Sequence, residues 1–139
     1  MIKTRLITDY FNSLVGQPRV YGDNDCNLLA CKVIDILTGS DLYTKLHKNY
    51  DSIEDGLKKA KDLCGYSNVL QPIKEKFKLV TDELQNGDLL VSSHKLGRRN
   101  YYSVTPYFNG YGLVAENDIW VPKPIFEIDY EYAYRFGGE

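Results

Sequence analysis

YGDNDCNLLACKVIDILTG, residues 21–39, is the stretch whose residue order decides the fold of this chain. Asp25 stands where a helix N-cap belongs and Cys26 falls in the first turn. Leu28, Leu29, Val33, Ile36 and Leu37 then form an apolar stripe at helical spacing, and Gly39 stops the run. A cysteine placed there sits among unpaired backbone N–H groups at the positive end of the helix dipole, which favours thiolate. The carboxylates of Asp23 and Asp25 oppose that effect. Cys26 is therefore a candidate nucleophile. The competing reading makes it a small apolar residue where the helix meets the core.

Upstream of this helix, Leu6, Ile7, Tyr10, Phe11 and Leu14 share a face and predict a helix over residues 2–15, ended by Gly16 and Pro18. Downstream, SDLYTKLHKNY reads as a short connecting helix, with Leu42, Tyr43 and Leu46 toward the core. Ser52 caps a further helix with Ile53, Leu57, Ala60 and Leu63 as its stripe, and Gly65 closes it. SNVLQPIKEKFKLV offers Val69, Leu70, Ile73, Phe77 and Val80 but contains Pro72; a short helix running into a strand is one reading, and the residues leave it open.

From Gly87 the period changes. GDLLVSSH reads as a buried strand ending near His94, followed by a basic turn, KLGRRN. Residues 100–108 alternate as a strand, and Asn109-Gly110 is a hairpin turn returning through YGLVAE. Further strands are expected around 119–121, 125–128 and 130–136, with Pro122 and Pro124 marking a bend or edge. Helices first and strands second predict an α+β fold, N-terminal helices packed on a C-terminal antiparallel sheet, in a single domain of 139 residues.

Composition narrows the function. A formal net charge of −2 with scattered basic residues gives no footprint for nucleic acid. No run is long and apolar enough to predict a membrane span, and residues 1–10 mix Lys3, Arg5 and Asp9 into their apolar positions, unlike a signal peptide. The expected place of synthesis and folding is the cytoplasm. Cys26, Cys31 and Cys64 lack CxxC spacing and are expected as reduced thiols, with Cys31 and Cys64 buried as small apolar residues. Asp23, Asp25 and Asn27 have the spacing of a calcium loop. Leu28 stands where its glycine is needed and the closing glutamate is missing, so no metal or cofactor is expected. The 12 tyrosines, concentrated toward the C-terminus, suit half-buried sheet faces, and those that point outward suit a contact surface. Lys95, Arg98 and Arg99 are a candidate contact for an acidic partner, although charges in a turn ordinarily face solvent.

A Tyr-Gly-x-x-Asp-Cys segment opening a helix, its closing Thr-Gly-Ser-Asp, and a later Gly-Asp-Leu-Leu-Val strand followed by a hairpin together resemble the NlpC-type papain-like cysteine peptidases. The nearer likeness is to the small branch found in bacteriophage tail gene clusters. It rests on Tyr21, Gly22, Asp25, Cys26, Thr38, Gly39, Asp41, Gly87, Asp88, Leu89 and Leu90, and covers residues 10–116 in order. The resemblance implies a papain-like fold and a cysteine that attacks an amide carbonyl of peptidoglycan stem peptides. It also implies a histidine on the first strands that takes the thiol proton and a third polar residue that orients it.

Cys26 matches the nucleophile position. The histidine position, in a pattern like His-Val-Gly-Ile, falls on Ser103-Val104-Thr105-Pro106, and Ser103 cannot serve as a general base. His94, at the end of the preceding strand, is the candidate substitute base, against its ordinary reading as a solvated turn residue. His47 lies in the linker after the central helix, and Glu116 and Asp118 fall near where an orienting residue belongs. The expectation that follows from the resemblance is a virion structural protein of the tail or tail tip, on a catalytically degenerate scaffold. Its partners would be other phage tail proteins in a ring or similar oligomer. The alternative is an active cysteine peptidase or amidase on peptidoglycan peptides, with Cys26 as nucleophile and His94 as base. A small binding domain unrelated to phage is the third.

Overall fold

A computed structural model of the chain describes residues 2–137, with the side chains of Ile2, Leu96 and Arg99 outside the description. Arg99's part in the basic turn therefore lies outside the described residues. Helix α1 spans Ile2–Leu14, and the expected face is rotated: Ile7 and Leu14 are buried while Leu6 is 49 % exposed. Helix α2, Cys26–Thr38, forms as the sequence predicts. Asp25 caps it through Leu28 N–H, and Gly39, at φ +77°, ends it in the left-handed region. Past that end, Asp35 accepts hydrogen bonds from Leu42 N at 3.0 Å and Tyr43 N at 2.8 Å. These fasten helix α3, Leu42–Leu46, to the end of α2.

Helix α4, Ile53–Lys59, starts at Ser52 as predicted, then widens into a π-helical turn over Ala60–Cys64 that Gly65 closes. The wider turn rotates the following side chains, so Leu63 leaves the expected apolar stripe and faces solvent while Ala60 stays buried. Helix α5, Leu70–Lys76, accepts Pro72 in its first turn, where no intrahelical N–H is needed, and passes directly into strand β1, Phe77–Leu79.

Strands β2 (Leu89–Leu96) and β3 (Arg99–Pro106) form an antiparallel hairpin about Gly97 and Arg98. The strand thus runs past His94, and the turn is shorter than KLGRRN. Strand β6, Tyr132–Phe136, pairs with β1 and β2 to give a four-stranded antiparallel sheet in the order β1-β6-β2-β3. Strands β4 (Tyr111–Glu116) and β5 (Ile119–Pro124) form a separate two-stranded ribbon.

The Asn109-Gly110 turn forms, with both residues at positive φ, but β4 does not return along β3. Pairing stops at a Phe108–Tyr111 bridge, because Pro106 has no N–H to donate and the Thr105 hydroxyl accepts Leu113 N–H at 2.7 Å. Residues 125–128, expected as a strand, contain instead a 3-10 turn over Ile125–Glu127. The fold is α+β, with helices in the N-terminal half and an antiparallel sheet in the C-terminal half.

Two clusters make the core. The larger joins Leu28, Val33 and Ile34 of α2 to Leu89, Val91, Val104 and Tyr134 of the sheet. The smaller sets Leu14 and Leu29 against Leu113 and Trp120 of the ribbon. Helix α2 lies between the two and holds its N-terminus at the junction of sheet and ribbon.

Candidate functional site

The start of α2 is fixed by a buried carboxylate with three donors. Asp25, 2 % exposed, accepts from Leu28 N at 2.9 Å, from Gly22 N at 2.8 Å and from the Tyr50 hydroxyl at 2.8 Å. Gly22 adopts φ +87°, and a Cβ there would lie 1.7 Å from the Tyr50 carbonyl oxygen. Glycine and aspartate of the Tyr-Gly-x-x-Asp-Cys segment thus each have an architectural cause, and Tyr50 is the residue that supplies both. Asp88 of the later Gly-Asp pair is likewise structural. It is 1 % exposed and receives Arg135 Nε at 2.8 Å and Nη2 at 2.9 Å, a bidentate bond that ties β6 to the loop before β2.

Cys26 is half-buried at the mouth of a cleft of about 340 Å³ between sheet and ribbon. The sheet wall is the alternate face of the β2–β3 hairpin, where Leu90, Ser92 and His94 stand opposite Thr105, Ser103 and Tyr101. The ribbon wall carries Leu113, Val114, Ala115 and Trp120, with Lys123, Glu127 and Asp129 at its polar end. Arg19 and Tyr21 close the mouth beside Cys26, the guanidinium over the tyrosine ring at 5.1 Å. The Trp120 indole N–H reaches the Asn24 carbonyl at 2.9 Å and so anchors the ribbon to the turn that presents Cys26.

The thiol is not activated by this setting. Burial, and after it the charge of Asp25, push the Cys26 pKa up to about 11; Arg19 and the backbone N–H groups of Cys26 and Asn27 act in the opposite direction and are outweighed. Burial is the first cause, so the thiolate-favouring effect expected from the helix start is outweighed. Cys31 is buried within the core, Cys64 is half-buried, and both thiols are likewise raised by burial.

His94 lies on β2 rather than in a turn. It lines the same cleft as Cys26, with Nε2 2.8 Å from Ser103 Oγ and its ring stacked on Tyr101. His47 is elsewhere. Its Nε2 is 2.8 Å from Asp23 Oδ1 and its ring stacks on Tyr43. Glu116 pairs with Lys123 at 2.9 Å and Asp118 with Arg19, so both acids are engaged by cations. Lys95 and Arg98 are exposed.

The structure thus brings Cys26, Ser103 and His94 to one cleft and leaves His47 outside it. The contributions of Arg19, Tyr50 and Trp120 lacked any local sequence signal, because their partners lie far along the chain. Among the described residues no group of histidine, cysteine and acidic side chains has metal-site geometry, and no helix is long and apolar enough to cross a membrane.

No curated protein and no solved structure matches the chain. Over residues 2–124 it matches the family described as "Domain of unknown function (DUF6950)", and the chain belongs to that family.

Proposed function

We propose that this protein is a structural component of a bacteriophage virion, at the tail or tail tip, built on an NlpC-type scaffold whose thiol chemistry is idle. The observation that carries the idle thiol is the state of the cleft. Burial and then the charge of Asp25 push the Cys26 pKa up to about 11, and the cleft's imidazole is hydrogen-bonded to Ser103, the residue at the position where the resemblance places a histidine. The phage assignment rests on the motif resemblance. Assembly is supported by the large apolar side chains left outside the core, with Phe126 83 % exposed and Tyr111, Ile119 and Tyr132 about half exposed.

Peptide mass spectrometry of purified virions from a phage carrying this gene tests the proposal. The chain should be present in the particle, its deletion should abolish assembly or infectivity, and Cys26→Ala should preserve both. Virions that lack the chain overturn it.

One observation favours a second reading, a cysteine peptidase acting on cell-wall peptides: Cys26 and His94 line the same cleft. In that case iodoacetamide at neutral pH alkylates Cys26 far faster than half-buried Cys64, and stem-peptide cleavage disappears in Cys26→Ala. Equal or slower alkylation of Cys26 removes the second reading.

A further inference from the structure

The sheet wall of the cleft places a serine hydroxyl at hydrogen-bond distance from an imidazole. Ser103 Oγ lies 2.8 Å from His94 Nε2, within the range in which a serine hydroxyl can pass its proton to an imidazole. The hairpin register creates the pair. His94 stands opposite Tyr101, Ser92 stands opposite Ser103, and all four side chains share the face that lines the cleft. Tyr101 stacks under the imidazole at 5.0 Å with the planes 24° apart, which fixes the ring's orientation.

The residue before His94 on β2 is held by a carboxylate from the segment leading into β6. Glu131 Oε1 accepts from Ser93 N at 2.9 Å and from the Ser93 hydroxyl. The pKa of Glu131 is lowered chiefly by those bonds and in part by the charge of His94.

We propose that Ser103 and His94 form a nucleophile–base pair that cleaves small acyl esters bound in this cleft. With the ring proton on Nδ1, the Ser103 hydroxyl donates to Nε2. Ser103 Oγ then bonds to the ester carbonyl carbon as its proton moves to Nε2. The carbonyl π electrons go to oxygen and return as the C–O bond to the alcohol breaks, and His94 gives its proton to the departing alkoxide. Water, deprotonated by the same nitrogen, attacks the acyl-serine and releases the carboxylic acid and Ser103. Esters are the fitting class, because an alkoxide leaves with less protonation than an amine and His94 is open to solvent rather than enclosed. The apolar side chains of Leu90, Val114, Ala115 and Trp120 offer the acyl group a non-aqueous wall.

This activity is separate from a structural role and does not depend on it. The test treats the intact protein with p-nitrophenyl acetate and with a fluorophosphonate probe, and maps adducts by peptide mass spectrometry. Acetyl and phosphonyl adducts are expected on Ser103, with catalytic release of nitrophenolate. Ser103→Ala should lose both adducts and the release. His94→Ala should slow acylation by about a hundredfold or more.

Ser103→Cys, which keeps a nucleophile of similar size, guards against a folding artefact. It should acylate at position 103 if the fold of Ser103→Ala is in doubt. Absence of a Ser103 adduct on folded protein, or nitrophenolate release that survives in Ser103→Ala, overturns the proposal. Virion incorporation is unaffected by either result, so the two proposals fail independently.

Discussion

Asp25→Ala should remove a large part of the protein's stability, because one buried carboxylate satisfies three donors. Two of them, Leu28 N–H and Gly22 N–H, belong to the helix start and its preceding turn, and the third is the hydroxyl of buried Tyr50. A hydrogen bond to a charged acceptor contributes about 1.5–3 kcal/mol, and loss of an N-cap alone costs about 1 kcal/mol. The three share one acceptor and are not additive, so the expected loss is roughly 4 kcal/mol out of a typical total of about 5–15 kcal/mol. Asp25→Asn keeps one acceptor oxygen but turns an amide NH2 toward a donor, and should lose roughly half as much.

Equilibrium urea unfolding, followed by Trp120 fluorescence and far-ultraviolet circular dichroism, measures both. The same carboxylate raises the Cys26 pKa, so Asp25→Asn should also bring that value down from about 11, read from thiolate absorbance against pH. An Asp25→Ala protein within about 1 kcal/mol of wild type would refute the reasoning, as would a thiol indifferent to the loss of charge.

Two further perturbations follow from the buried charges. Arg135→Met leaves Asp88 buried without its bidentate partner and should lower the midpoint in the same urea assay, with Asp88→Asn in the double variant recovering part of the loss. For Cys26, the unfolded chain releases its thiol proton near the ordinary value of 9.0, whereas the folded protein holds it to about 11. The folded state binds more protons between those values, so stability falls as pH rises through that window, and Cys26→Ala should flatten the fall in pH-dependent urea midpoints.

What was legible in the sequence was what is encoded locally. Helix α2 has its cap and stop within one short stretch, and both form where the residues dictate; of the expected stripe Ile36 is only partly buried, while Ile34 is fully buried in the core. Ser52 marks a helix start for the same reason. The Asn109-Gly110 turn was equally local and it forms, yet the strand pairing inferred from it does not. Pairing depends on Pro106 and Thr105 and on the surface that Trp120 offers to Leu14 and Leu29. The site was half legible. Cys26 stands where expected, but the relation of His94 to Ser103 depends on reading Gly97-Arg98 as the whole turn. Assigning Lys95, Leu96, Arg99 and Asn100 to the loop hides the register that places the two side chains on one face. Arg19, which meets Asp118 across the ribbon, and Arg135, which meets Asp88 across the sheet, had no signal short of the folded structure.

The helix start that suggested an activated thiol contains the reason it is not one. A cysteine at this position gains from the helix dipole, but the turn that presents it needs a buried acceptor for Gly22, Leu28 and Tyr50, and a carboxylate fills that need. The carboxylate's charge and the burial of the thiol act together on Cys26, and the opposing cation, Arg19, is shared with Asp118. Activation of Cys26 therefore requires a further base close to its sulfur, and the cleft's imidazole is already hydrogen-bonded to Ser103. The proposed nucleophile–base pair of this cleft stands on the hairpin wall, at His94 and Ser103, rather than at the start of α2.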